Sequence, residues 1–80
     1  MATKSQHASA YQSVPSLLRV LREEADLTQR ALGQRLKKPQ SWVYNCETAN
    51  RRVDVAEFAA WAKACGFEPA AAFARFLKSR

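Results

Sequence analysis

Residues 27–47 of the chain read LTQRALGQRLKKPQSWVYNCE. Thr28 is a residue type that commonly caps a helix, and the helix predicted to follow it runs to Leu36. Pro39 enforces the break, because the residue before a proline disfavours helical backbone angles. A second short helix is predicted from about residue 39 or 40 to Glu47. Residues 28–47 are therefore predicted to form two helices joined by a tight turn.

Upstream of this segment, apolar residues recur at the spacing of one helix face, at Val14, Leu17, Leu18, Leu21 and Ala25. Pro15 fits such a helix only in its first turn, which places the predicted start near residue 14. Residues 1–12 are small and polar and are predicted to form a flexible arm. Residues 13–80 remain as the folded domain.

Downstream, two more helices are predicted. Asp54 and Glu57 have the spacing of a capping box, and Gly66 is placed to end that helix in a left-handed conformation. Val55 is predicted on the inner face of this helix. Pro69 suits the first position of a last helix, over about residues 69–78. Because no stretch alternates with period two, the predicted fold class is all-α, a compact five-helix domain.

The composition excludes several classes of protein. The chain has 80 residues, 48% of them hydrophobic, which suffices for one small core. No apolar run is long enough to span a membrane, and no phosphate-binding loop or nucleophile motif is present, so an enzyme is not expected. Cys46 and Cys65 lack the spacing of metal ligands, and His7 lies in the polar arm. We expect no metal or cofactor, and reduced core cysteines in a cytoplasmic protein.

The positive charge is concentrated in one third of the chain. The net charge is +6, from 13 basic and 7 acidic residues. Residues 27–52 contain six basic side chains against Glu47 alone, a net charge of +5. Such clustering favours an anionic partner, with nucleic acid ahead of a membrane surface.

The second helix of the pair has two chemically different faces. Val43 and Cys46 are three residues apart and are predicted to point into the core. The predicted outward residues carry amide and hydroxyl groups: Gln40, Ser41, Tyr44 and Asn45. Amide side chains can form two hydrogen bonds with the edge of an adenine, and hydroxyls can donate to or accept from any base. This face is therefore predicted to read base sequence.

The spacing and the residue types resemble the lambda-repressor and Cro-like helix-turn-helix family, of the xenobiotic-response-element type. The residues that carry the resemblance are Leu27-Thr28-Gln29, Gly33, Leu36, Gln40-Ser41, Val43, Glu47, Arg52-Val53-Asp54-Val55 and Glu57-Phe58. The resemblance covers roughly residues 17–67. It implies a sequence-specific double-stranded DNA-binding regulator of transcription. It further implies a repressor that acts as a homodimer on a two-fold operator, and no small-molecule effector is expected.

The resemblance also implies roles for individual residues. Gln40, Ser41 and Asn45 take the base-contacting positions, and Tyr44 shares their face. The residues expected at the DNA backbone are Thr28, Gln29, Lys37, Lys38, Arg51 and Arg52. The family usually has glycine at the positions of Lys37 and Ala49. The turn is therefore predicted to need either a left-handed lysine or a different geometry.

Some alternatives stay open from sequence. The last helix and the segment before it supply candidates for a dimer interface that suit an internal core almost as well: Phe67, Phe73, Phe76 and Leu77. Trp42 either covers the junction with the fourth helix or lies exposed beside DNA. A protein-binding module that keeps the fold without operator recognition is the alternative function. A membrane-surface peptide ranks third, because the last helix carries too few basic residues.

Overall fold

The computed structural model describes the backbone of residues 2–79 and the side chains of residues 11–78. Five helices follow one another along the chain: α1 Ala2–Glu24, α2 Gln29–Leu36, α3 Gln40–Glu47, α4 Val55–Ala64 and α5 Pro69–Ser79. Every regular element of this part of the chain is an α-helix, which confirms the all-α, five-helix prediction. Met1 and Arg80, which belong to the predicted arm and domain, lie outside the described residues.

The start of α1 differs from the prediction. Residues 2–12, predicted as a flexible arm, continue α1 as helix, and Pro15 lies inside the helix and not in its first turn. Residues 2–12 contain three alanines and neither glycine nor proline, so the segment has no residue that breaks a helix once the following turns have formed. Pro15 is buried among neighbouring groups, and this packing offsets the backbone hydrogen bond that a proline cannot donate.

The predicted helix ends are confirmed by their hydrogen bonds. Thr28 Oγ1 accepts from the Ala31 N–H at 3.0 Å, as an N-cap does. At the start of α4, Asp54 and Glu57 form the reciprocal bonds of a capping box. At its end Gly66 has a φ of 86°, and the Phe67 N–H donates to the Ala62 carbonyl at 2.9 Å, the bond that defines a Schellman motif.

The core lies where all five helices meet. Its buried residues are Leu17, Leu18, Leu21, Leu32, Val43, Cys46, Trp61, Ala62, Cys65 and Ala72. Trp61 is fully buried, and its indole Nε1–H donates to the Leu18 carbonyl at 3.0 Å, so its one polar group is satisfied. Burial of Val43 and Cys46 confirms the predicted inward face of α3. This core fixes α3 against the rest of the domain.

Two further sequence predictions have opposite outcomes. Cys46 and Cys65 are free and buried, as predicted. Val55, predicted on the inner face of α4, is 81% exposed, because it is the first residue of α4 and lines an open apolar groove instead of the core. Among the described helices, none is long and apolar enough to cross a membrane.

Candidate nucleic-acid interface

The turn between α2 and α3 closes with a left-handed lysine. Lys37 has φ 59° and ψ 42°, and its N–H donates to the Gln34 carbonyl. The Lys38 N–H donates to the Gly33 carbonyl at 2.8 Å, which completes a Schellman motif. The structure therefore selects the first of the two predicted alternatives. The turn keeps the geometry that glycine ordinarily supplies and presents two lysines to solvent.

Gly33 makes that turn possible. A Cβ atom at this position would lie 2.7 Å from the carbonyl oxygen of Lys38 and 3.5 Å from the carbonyl carbon of Pro39. Both are backbone atoms of the turn, so a side chain cannot fit unless the start of α3 moves. Gly33 therefore permits the close approach of α2 to the turn and to the start of α3.

The outward face of α3 carries the predicted polar residues. Gln40, Ser41 and Tyr44 are exposed and Asn45 is half-buried, whereas Val43 is buried. The phase of the helix predicted from sequence is therefore correct. The DNA contacts assigned to these residues stay a prediction.

A chain of hydrogen bonds fixes the side chain of Gln40. Its Nε2 donates to Gln29 Oε1 at 2.8 Å, and Gln29 Nε2 donates to Glu47 Oε1 at 3.0 Å. Because a carboxylate only accepts, Glu47 determines which end of the Gln29 amide faces it, and Gln29 in turn orients Gln40. Gln40 is left with its Oε1 and one N–H for another partner. Two residues predicted for different DNA contacts thus lie in direct contact.

Glu47 is itself held by an arginine of α1. Arg22 donates to it from Nε at 2.6 Å and from Nη2 at 3.0 Å, and from Nη1 to the Leu27 carbonyl at 2.8 Å. The pair is largely buried, with side-chain exposures of 12% and 3%. The hydrogen bond to Glu47 raises the pKa of Arg22 above its ordinary value. This bidentate pair ties α1 to α3.

The sequence did not predict the role of Arg22 or its partner. The available signal was Glu47, the one acidic residue of the basic segment 27–52. A single acidic side chain among basic ones indicates an ion pair, but which residue is the partner depends on how the helices pack.

α3 also ends at a left-handed residue, and the loop that follows holds two arginines in different environments. Ala49 has a φ of 67°. Arg51 donates to both carboxylate oxygens of Glu57, at 3.1 and 3.0 Å. This hydrogen bonding lowers the pKa of Glu57 from its ordinary value. Arg51 therefore braces the α4 cap, whereas Arg52 is exposed and lies 4.2 Å from the ring centre of Tyr11.

Two basic side chains lie over the ring of Trp42. It is partly buried, with its ring centre 6.2 Å from that of Trp61, which confirms that it covers the junction with α4. Lys38 Nζ lies 5.3 Å and Arg51 Cζ 5.0 Å from its ring centre, within the range of cation–π attraction. The indole ring of Trp42 therefore contacts one cation from the turn before α3 and one from the loop after it.

The dimer-interface candidates divide into two pairs. Phe67 and Phe76 pack against the core, whereas Phe73 is 46% and Leu77 51% exposed. Phe73 also lines an apolar groove of about 220 Å³ between α1, α4 and α5. The exposed pair is the part of the set that remains available to another molecule. The homodimer stays a prediction.

The comparisons with known proteins agree with this geometry. A family model described as a helix-turn-helix domain matches residues 16–77. A search of curated proteins returns no match. A solved structure, an XRE-family like protein from Pseudomonas syringae pv. tomato str. DC3000, is 38% identical, with a TM-score of 0.89 over 98% of this chain and 95% of that one. The chain therefore belongs to the XRE, lambda-repressor-like helix-turn-helix family of DNA-binding regulators.

Proposed function

We propose that this protein is a sequence-specific transcriptional regulator that places α3 in the major groove of double-stranded DNA. The observation that carries the proposal is the position of Gln40. It is exposed at the start of α3, and its amide is held by Gln29 with an acceptor and one donor left unused. Those two groups match the adjacent donor and acceptor on the major-groove edge of adenine.

The neighbouring residues supply further contacts in this proposal. Ser41, Tyr44 and Asn45 lie along the same face of α3 and contact the bases that follow. A side chain whose orientation is already fixed loses less rotamer freedom on binding and therefore binds more tightly. Gln40 is thus the principal base-reading residue.

The phosphate contacts surround this face. We assign them to Thr28 and Gln29 at the start of α2, to the lysines of the turn, and to the arginines of the loop after α3. The lysines Lys37 and Lys38 are exposed, as is Arg52. Arg51 forms an ion pair with Glu57, which partly neutralises its charge, so we assign it the weaker phosphate contact.

We further propose that the protein acts as a homodimer and represses transcription by occupying a two-fold operator. The exposed pair Phe73 and Leu77 supports a role of α5 in dimerisation. Binding to a palindrome then requires half-sites about 34–36 Å apart, one turn of DNA. A reporter gene carrying the selected site in its promoter should be expressed less when the protein is present.

Selection of bound fragments from random duplex DNA tests the central claim. An enriched motif with two half-sites at the spacing of one helical turn supports both sequence reading and the dimer. A single enriched half-site supports sequence reading alone. If no sequence is enriched, operator recognition is excluded and the protein-binding module is the better description.

The salt dependence of binding provides a quantitative prediction. If ~4–6 phosphates are neutralised per monomer, the slope of log affinity against log salt should be about −4 to −5 per monomer, and roughly twice that for a dimer. Gel shifts or fluorescence anisotropy on the selected duplex between low and physiological salt measure it. A flat response would contradict DNA binding through the basic segment.

A further inference from the structure

The side chain of Tyr11, on α1, reaches the loop that follows α3. Its hydroxyl accepts a hydrogen bond from the Val53 N–H at 2.9 Å, across 42 residues of sequence. Its ring lies 4.2 Å from the guanidinium carbon of Arg52. One residue therefore contacts both the backbone and the charged side chain of this loop.

The two contacts constrain Arg52 in different ways. The hydrogen bond to Val53 holds the backbone immediately after Arg52, just before the N-cap of α4. The ring face attracts the planar guanidinium and limits its rotamers, while the N–H groups at the guanidinium edge remain able to bind an anion. Arg52 is exposed, so without the ring its side chain would sample many orientations.

We propose that Tyr11 is a positioning residue for Arg52, and that it prepares this arginine to bind a DNA phosphate. The inference rests on the proposed function, because it requires that the loop after α3 meets the DNA backbone. It assigns a role in DNA binding to a part of α1 that precedes the residues matched by the family model, which begin at residue 16. A preorganised arginine loses less conformational freedom when it binds.

A purely structural role for Tyr11 makes a different prediction. Tyr11 also lines the apolar groove beside Val14 and Phe58, so its removal will loosen packing there. Loss of packing lowers the unfolding temperature but does not depend on whether Arg52 is present. Coupling between Tyr11 and Arg52 in DNA affinity is therefore the decisive measurement.

The experiment is a double-mutant cycle on the full chain, with the duplex enriched by selection and a random duplex as probes. The variants are Tyr11→Ala, Tyr11→Phe, Arg52→Ala and the double alanine variant, all measured well below the lowest unfolding temperature. We expect Tyr11→Ala to weaken binding to both duplexes roughly 2- to 5-fold. We expect no further loss when it is added to Arg52→Ala. Arg52→Ala should make the salt slope shallower by about 0.9.

Tyr11→Phe separates the two contacts, since it keeps the ring and removes the hydroxyl acceptor. It should retain most of the affinity if the ring is the main constraint on Arg52. Arg75 is the matched control, because it also lies near an aromatic ring, Phe67, at 5.9 Å, and it pairs with Glu24. The effects of Tyr11→Ala and Arg75→Ala should multiply independently.

Each failure has its own signature. If the wild-type protein selects and binds duplex DNA but the losses from Tyr11→Ala and Arg52→Ala multiply, Tyr11 does not position Arg52 and only this inference is overturned. If the wild-type protein binds no duplex at any salt concentration, the proposed function fails and the inference fails with it.

Discussion

A methyl group added at Gly33 would lie 2.7 Å from a backbone oxygen of the turn, closer than packed atoms approach each other. The helix propensity of alanine would favour the substitution by about 1 kcal/mol, as for any glycine in a helix interior. Forcing an atom into a filled space costs typically 1–3 kcal/mol or more. At Gly33, the steric cost of an added Cβ atom therefore opposes the gain in helix propensity.

We predict that Gly33→Ala lowers the free energy of unfolding by up to about 2 kcal/mol, because the overpacking cost of about 1–3 kcal/mol exceeds the gain of about 1 kcal/mol in propensity. Urea denaturation measures the change. The exposed neighbour Gln34 is the control, and Gln34→Ala should stay within about 0.5 kcal/mol of the wild type. A more stable Gly33→Ala variant would show that α2 and the turn are not in contact there.

Lys37 gives the opposite prediction. Its left-handed conformation costs a residue with a Cβ atom roughly 1–2 kcal/mol. Glycine avoids this strain, but it also increases the conformational entropy of the unfolded chain, which offsets part of the gain in stability. Lys37→Gly should therefore stabilise the fold by about 0.5–1 kcal/mol in urea denaturation. Lys37→Ala removes the same charge but keeps the Cβ atom, and should leave stability nearly unchanged. Equal stabilities for the two variants would contradict the strain.

At the scale of elements, α3 depends on contacts with α1 and α2. Arg22 on α1 holds Glu47 at the end of α3, and Glu47 holds Gln29 at the start of α2. Gln29 then holds Gln40 at the start of α3. The orientation of the outward face is thus determined by residues on three helices.

The two faces of α3 are expected to respond differently to truncation. Gln40→Ala should weaken binding to the selected site by ~1–3 kcal/mol and relax the preference at one base pair per half-site. Because Gln40 is exposed, the stability should change by no more than ~0.5 kcal/mol. Val43 is fully buried, and Val43→Ala should destabilise the fold by more than ~1 kcal/mol.

Thermal melts and binding titrations of both variants test which residues of α3 face outward and which face the core. A Gln40→Ala variant that unfolds easily while Val43→Ala remains stable would mean that the assignment of base-reading residues is rotated around α3.

The features that were predictable from sequence are those that local rules determine. The caps at Thr28 and Asp54 and the closure at Gly66 follow from residue type and spacing over a few positions. The start of α1 was not predictable, because Pro15 normally marks a first turn and the packing that accommodates it is tertiary. The contacts Arg22–Glu47 and Tyr11–Arg52 join residues far apart in sequence. No local pattern encodes these pairs.

At the scale of the whole molecule, one core unites all five helices, and both cysteines lie within it. Cys46 is fully buried on α3, and Cys65 is 6% exposed at the end of α4. Burial raises the pKa of both thiols, that of Cys65 to about 11. A thiol reacts as its thiolate, so a raised pKa and burial both protect it.

We predict that both thiols react slowly with an aromatic disulfide reagent at pH 8 in the folded protein. With a pKa of about 11, only about one Cys65 thiol in a thousand is ionised at that pH. Both should react at one shared rate set by opening of the core, and rapidly in denaturant. Reaction of either thiol at the rate of a free cysteine would show that the core opens locally.

The left-handed residues that close the first three helices have an evolutionary consequence. Asp26, Lys37 and Ala49 all have positive φ without being glycine, whereas Gly66 closes α4. At Lys37 and Ala49, a change to glycine relieves backbone strain, whereas aspartate already tolerates this conformation. A lineage that acquires such changes gains mutational tolerance. Under the proposed function, substitutions on the outward face of α3 that change its DNA preference but weaken the fold can then persist, so the helix endings affect how freely that preference can evolve.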